Sequence, residues 1–317
     1  MGKKLLLETT APFQGLPELV AYDEGLFEEE GLDVEFIARG QEAPKATDTS
    51  VTSTDLVNPF LSHASSFEGG QAGMYNACEW GNYRRVQDSN VHGRQLGRRA
   101  IVVYGALVVA PGSPVYTPQQ LANKLIAVPY FAGPHYLALL MLEGFLPRDL
   151  IKTCQAPNGS GARYRSLMKG EIDATTLTEP YITVAEKAGC RVMVLAPFHG
   201  TEVATQAVDA ETYASFSRAV KKAVGRINAD KRKYLQYFID YYKSDPEVAA
   251  LTVDDLSPGR LQVVEPAPIP EEEMERTRQW MVGWDMIDES SSAESLVDSQ
   301  RQNLAHELAA TSDGDSG

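Results

Sequence analysis

"KLLLETTAPFQGLPELVAYDEGLFEEEGLDVEFIA" spans residues 4–38 and reads as strand, helix, strand. Leu5, Leu6 and Leu7 make a short apolar run of strand length. After the loop "TTAPF", the apolar residues Leu16, Leu19, Val20, Leu26 and Phe27 recur at helical spacing, with acids on the other face and Gly25 and Gly31 as punctuation. "LDVEF" then alternates Leu32, Val34 and Phe36 with charged residues, as a strand does. Two strands joined through one helix make a βα unit with a right-handed crossover, which points to a parallel sheet and an α/β fold.

The theme repeats along the chain. "QAGMYN" is a strand, and "ACEWGNYRR" opens the helix after it. "LIAVPYF" is a strand, "AGPHYLALLMLEGF" a helix, "IKTCQAP" a strand, and "GARYRSLMKGEIDATTLTEPYITVAEKAG" a helix, a short strand and a helix. "CRVMVLAPF" is expected as a buried strand. In "RRAIVVYGALVVAPGS", Gly105 separates two apolar runs and is the expected place for the chain to cross between lobes. Residues 39–55 are polar and aperiodic, a long loop that is either functional or a surface insertion. "LVNPFLSHASSFEGG" gives a short helix, and beyond residue 200 the pattern is mainly helical. Residues 291–317 are expected to be a polar, partly disordered tail with one helical turn at residues 304–308.

At 317 residues, 43% hydrophobic, the chain is long enough for two lobes of about 100–150 residues each. The expected division is residues 1–104 with 196–290 for lobe 1, and 105–195 for lobe 2. A net charge of −14 argues against a nucleic-acid partner, whose phosphates it would repel. No apolar run approaches the ~18 residues of a membrane span. The leucines of "MGKKLLLETT" are too few for a secretory signal, and three unpaired cysteines, Cys78, Cys154 and Cys190, fit a reducing compartment. As written the chain is expected in the cytoplasm; a trimmed export signal would place it in the periplasm or outside the cell. The five histidines lack metal-ligand spacing, and neither a phosphate loop nor a G-x-S-x-G elbow occurs, so no metal and no cofactor are expected.

Three blocks carry a family resemblance. "PELVAYDEGLFEEEGLDVEF" resembles the opening of the nitrate/sulfonate/taurine-type substrate-binding proteins of ABC importers. "LVVAPGSPVYTPQQLANKLIAVPYFAGPHY" resembles their entry into the second lobe, and "SLMKGEIDATTLTEPY" resembles their "L-x-x-G-x-hydrophobic-Asp-Ala" with a following Glu-Pro. The resemblance covers roughly residues 15–195 and lies in the order of the blocks, since none is specific alone. It implies a two-lobed, periplasmic-binding-protein-like (type II) fold with a ligand cleft between the lobes. It also implies a small anionic or aromatic ligand (a sulfonate, carboxylate or pyrimidine), with an ABC permease as partner only if a signal was removed. The same fold hosts enzymes: an aryl-sulfinate desulfinase, the thiamine-pyrimidine synthase and dihydroxyphthalate decarboxylases. This sequence lacks the cysteine cluster of the synthase and has no cysteine in its first loop, where the desulfinase carries its nucleophile.

In open α/β sheets ligands sit at the carboxyl ends of strands, here residues 9–13, 76–79, 131–136 and 178–181. The expected ligand-binding residues are therefore Thr10, Phe13, Asn76, Cys78, Glu79, Gly133, His135, Tyr136, Glu179 and Tyr181. Cys78 opens a helix, whose N-terminus lowers a thiol pKa, and Arg84 and Arg85 follow; the competing reading is a buried, inert thiol with solvated arginines. Gly133 lets backbone approach an anion, and His135 titrates near neutrality. If the protein is an enzyme, a lyase or hydrolase, then Cys78, His135 and Glu179 carry the chemistry. If it only binds, they line the cleft.

Overall fold

The βα unit of residues 4–38 forms as its pattern dictates. In a computed structural model, which describes residues 2–8, 11–37, 64–156 and 159–311, strands β1 (Lys3–Glu8) and β2 (Leu32–Phe36) pair in parallel with Leu5 opposite Val34. Helices α1 (Pro12–Asp23) and α2 (Leu26–Glu29) make the crossover. Gly25 and Gly31 both have φ of 73°, the left-handed region where a glycine ends a helix without strain. The polar loop at residues 39–55 lies outside the described residues.

The remaining strands are β3 (Met74–Cys78), β4 (Arg94–Arg98), β5 (Ile101–Val109), β6 (Leu125–Val128), β7 (Lys152–Gln155), β8 (Ala174–Thr178), β9 (Arg191–Phe198), β10 (Gly200–Ala204) and β11 (Gln262–Val263). They form two sheets. The first runs β2-β1-β3-β10-β4; the second runs β11-β5-β8-β6-β7, with β9 also beside β5. Helices α3 (Ser65–Glu68), α4 (Glu79–Asp88), α5 (Gly133–Glu143), α6 (Ser160–Met168), α7 (Tyr181–Lys187), α8 (Ala210–Ala229), α9 (Lys231–Tyr241), α10 (Pro246–Ala249), α11 (Glu271–Gly283), α12 (Ala293–Leu296) and α13 (Ser299–Thr311) cover them. Leu5, Leu16 and Val20 share one core with Phe216 and Val220 of α8. Leu137 and Leu142 of α5 belong to the other, with Val128 and Tyr83.

The chain leaves the first sheet after Arg98, enters the second at Ile101 and returns at Gly200, and the two-residue β11 later pairs with the start of β5. The two crossings lie side by side, the Arg99 N–H donating to the Gly200 carbonyl at 2.9 Å. We propose the lobe division at these crossings, a few residues from the expected 104/105 and 195/196. Gly105 is not a crossing point: it sits inside the unbroken β5, where a Cβ would fall 2.2 Å from Leu137 Cδ2. Its missing side chain makes room for α5. β9 is half-buried rather than buried, with Leu195 42% exposed.

The C-terminal segment is more ordered than its composition implies. α13 is a helix of 13 residues packed along α8. Gln302 is buried there and its Oε1 accepts from the Ile269 N–H at 2.9 Å. Arg301 Nη1 donates to the Thr205 and Val208 carbonyls at 2.7 and 2.8 Å.

Gly200 is the tightest point of the crossing. It pairs with Cys78, and a Cβ there would lie 2.0 Å from the Ala77 carbonyl oxygen and 2.6 Å from Arg99 Cζ. Backbone cannot yield as a side-chain tip can, so Gly200→Ala is expected to destabilise by about 3 kcal/mol or prevent folding. Gly112→Ala, where nothing lies within 4 Å, serves as the matched control. Urea denaturation of the two variants checks this; equal midpoints would refute it.

Candidate functional site

Two helix starts face each other where the lobes meet. β3 ends at Cys78 and α4 begins at Glu79, so Cys78 is the cap, its Sγ accepting from the Gly81 N–H at 3.3 Å. Opposite, α5 begins at Gly133, where an added Cβ would meet Cys78 Cβ and Phe198 Cε2 at 3.4 Å each. The absent side chain thus lets the second lobe's backbone close on the thiol. Around this contact Trp80 stacks on Tyr136 with centroids 5.9 Å apart and tilts against Phe198 at 5.6 Å. The Arg84 guanidinium lies 4.9 Å from the centroid of the Phe131 ring, a cation–π contact across the seam. Phe131 itself has φ of 58°, an uncommon conformation for a side-chain-bearing residue.

Burial dominates the electrostatics here. Cys78 is 2% exposed, and its desolvation pushes the thiol up although Arg85, the Gly81 N–H and Arg99 pull it down. Of the two readings of Cys78, this direction favours the buried thiol over the activated one. The helix field is worth about 0.3–1 kcal/mol, whereas full burial shifts ionisation by up to several pKa units. Arg84 is tied to Asp88 at 2.6 Å, while Arg85 is buried beside the thiol. Arg99 is fully buried; its Nε donates weakly to the Ile101 carbonyl at 3.4 Å, and neither Nη has a hydrogen-bond partner among the described residues. The Tyr136 hydroxyl is likewise buried and has no hydrogen-bond partner among the described residues.

The expected site residues divide into three groups. Cys78, Gly133 and Tyr136 meet at the seam, with Phe13 half-buried and packed against both cores. His135 lies next to them but is engaged, its Nδ1 accepting from the Phe131 N–H at 3.2 Å, and burial lowers its pKa to about 3. Asn76 is held inside the first lobe, donating to Glu18 Oε1 at 2.7 Å. Glu79 turns toward His199 and Glu273 instead of the thiol. Glu179 accepts from Arg260 Nε at 2.6 Å and from Thr183 N–H at 3.2 Å; burial pushes its pKa up, and Arg260 offsets part of the rise. Tyr181 donates to Asp245 Oδ2 at 2.5 Å. Thr10 lies outside the described residues.

Sequence reading missed Arg99, Phe198, His199 and the carboxyl pair Glu18 and Glu202. That pair is fully buried, and the Glu202 pKa is pushed well above the carboxylate range by burial and by Glu18. Only the basic run "GRRA" before an apolar strand hinted at Arg99. Its neighbours come from residues 18, 78 and 202, which no local spacing connects.

No family model matches the chain, and no curated protein does. Solved structures do. The chain is similar to the alkanesulfonate-binding protein SsuA of Xanthomonas axonopodis pv. citri bound to MOPS, at 12% identity and a TM-score of 0.67 over 95% of this chain and 97% of that one. It is similar to the periplasmic aliphatic sulphonate-binding protein SsuA of Escherichia coli, at 12% identity and a TM-score of 0.64 over 94% and 92%. The chain has the periplasmic-binding-protein fold. It is also similar to the desulfurization enzyme DSZB, at 14% identity and a TM-score of 0.59 over 96% and 99%. The two-lobed α/β architecture with an interlobe cleft, expected from the order of three sequence blocks, is thereby established. No helix among the described residues is long and apolar enough to cross a membrane.

Two outcomes follow from these environments. Cys78, buried with a raised pKa, should alkylate with iodoacetamide more slowly than the half-buried Cys154 between pH 6 and 9; peptide mass spectrometry of one labelled sample checks the order, and faster labelling of Cys78 would show an open thiol. The His135 imidazole stays neutral in the fold down to about pH 3 but protonates near 6.5 when unfolded. Because this folded-state pKa is depressed for a base, its stabilisation is complete above the unfolded value and drains as pH falls toward the folded one. Near pH 5 the loss is about 2 kcal/mol. His135→Gln should therefore lose less stability than wild type between pH 7 and pH 5 by about that amount, read from denaturation at the two pH values.

Proposed function

We propose that the protein closes its lobes on a small organic anion whose charged end reaches the Cys78–Gly133 seam. The observation that carries this reading is Arg99. A fully buried guanidinium with two unpartnered Nη atoms is costly, because each donor left without an acceptor loses its hydration. Sulfonate or carboxylate oxygens supply the missing acceptors, and a planar fork suits either group. Arg85 adds a second buried positive charge beside Cys78. Trp80, Tyr136 and Phe198 offer an apolar wall for the organic body of the ligand. The sulfonate-binding proteins that share the fold support the same headgroup class.

Binding without chemistry is the better-supported form. The Cys78 thiol is buried with a raised pKa, His135 is neutral and bonded to backbone, and Glu179 is paired with Arg260. A nucleophile or general base needs a free lone pair near neutral pH. If the native chain is exported, an ABC permease is the partner that receives the ligand.

Isothermal titration against MOPS, benzenesulfonate and benzoate, with uncharged benzamide as control, tests the reading. At least one anion should bind and benzamide should not. Arg99→Met should weaken that anion about 10- to 100-fold, the loss of a charge-assisted hydrogen bond. Tyr136→Phe should weaken it less, since one neutral donor is removed. Undiminished binding by a folded Arg99→Met variant would place the anion elsewhere.

A further inference from the structure

We propose that Glu79, His199 and Glu273 form a divalent transition-metal site at the edge of an apolar slot between α4, α5 and α11. The histidine spacing in the sequence points to no metal. The three residues come from the first turn of α4, the crossing between β9 and β10, and the first turn of α11. The fold brings their donor atoms within 4.8 Å of one another. His199 Nε2 stands 2.8 Å from Glu273 Oε1 and 3.4 Å from Glu79 Oε2. Donors about 2.0 Å from one tetrahedral ion are roughly 3.3 Å apart. The longer spacing already fits, and the shorter must open by about half an ångström.

Neighbouring groups hold the two carboxylates as an outer shell does, while the His199 Nδ1 has no hydrogen-bond partner among the described residues. The Tyr83 hydroxyl donates to Glu79 Oε1 at 2.8 Å, leaving Oε2 turned to His199. Arg98 holds Glu273 through Oε2, leaving Oε1 turned to the same nitrogen. Glu273 thus has one oxygen fixed and one turned to His199, and Glu79 is held by Tyr83 and by the Thr277 side chain, contacts that position ligands before an ion arrives. One imidazole and two carboxylates suit Zn²⁺, Mn²⁺ or Fe²⁺.

Three protein donors leave a coordination position open. All three residues line a cavity of about 510 Å³ whose walls include Leu137, Leu140, Val194, Phe198 and Trp280. The open position therefore suits a ligand with a donor atom at one end and an apolar body lying in the slot.

Cobalt titration tests this on the full chain after stripping with EDTA. One equivalent of Co²⁺ should give the visible absorption of a low-coordinate ion, and Zn²⁺ should displace it at one-to-one stoichiometry. His199→Ala should abolish the spectrum, and Glu273→Gln, at a part-exposed position, should weaken Zn²⁺ at least tenfold. His92→Ala, at an exposed position outside the cluster, should change nothing. Circular dichroism confirms that each variant is folded, and Glu273→Gln alone decides if His199→Ala does not fold. Absence of stoichiometric Co²⁺ binding, or binding that the folded cluster variants leave intact, would overturn the site and leave a histidine bridging two carboxylates.

Discussion

A single missing side chain organises the centre of this protein. Gly200 pairs with Cys78 on one side and meets Arg99, just past the end of β4, on the other, and any Cβ there would run into the Ala77 carbonyl and the Arg99 guanidinium. With only hydrogen at that point, the two crossings approach closely enough for the Arg99 N–H to reach the Gly200 carbonyl. The same space receives the guanidinium near the capping thiol of α4. The hinge geometry and the positive character of the seam thus share one cause. A second glycine, Gly133, plays the matching part from the other lobe by bringing the start of α5 against Cys78.

Once the lobes meet in this way, desolvation outweighs the other electrostatic effects. A helix N-terminus and two arginines favour a thiolate at Cys78, and burial still pushes its pKa up. The same force lowers the His135 pKa and pushes the Glu18 and Glu202 carboxyls upward. Groups that look reactive in sequence are therefore either neutral or fixed by a neighbour. Arg99 is the exception, because a guanidinium keeps its charge when buried and two of its nitrogens still need acceptors. That asymmetry favours recognition of an anion over chemistry upon it.

The seam and the carboxylate–histidine cluster are adjacent rather than separate. Cys78 and Glu79 are consecutive, the first turned to the cleft contact with Gly133 and the second to His199. His199 occupies the returning crossing, and α11 reaches both lobes: Glu273 engages Arg98 of the first, while Trp280 donates to Glu143 of the second at 2.7 Å. Any change in the angle between the sheets moves both sets of contacts together, since Phe198 and His199 are neighbours on one strand end.

The sequence by itself determined the secondary-structure order over most of the chain. Apolar period and glycine punctuation are local, so β1, α1, β2, α4, α5 and α8 could be read where they occur. The order of three blocks carried the fold. Local pattern failed where a neighbour decides the outcome. β10 is short and includes a glutamate, yet it is buried inside the first sheet because β3 and β4 pair on both sides of it. α13 is polar, yet α8 and the Ile269 backbone give it partners. Among the expected residues, Cys78, Gly133 and Tyr136, at or just beyond strand ends, are the ones that meet at the seam. Spacing could not identify Arg99, whose charged neighbours Glu18 and Glu202 lie 81 and 103 positions away, nor the meeting of Glu79, His199 and Glu273. Those depend on which side chains the crossings bury together, and burial is a property of the assembled fold rather than of any stretch of chain.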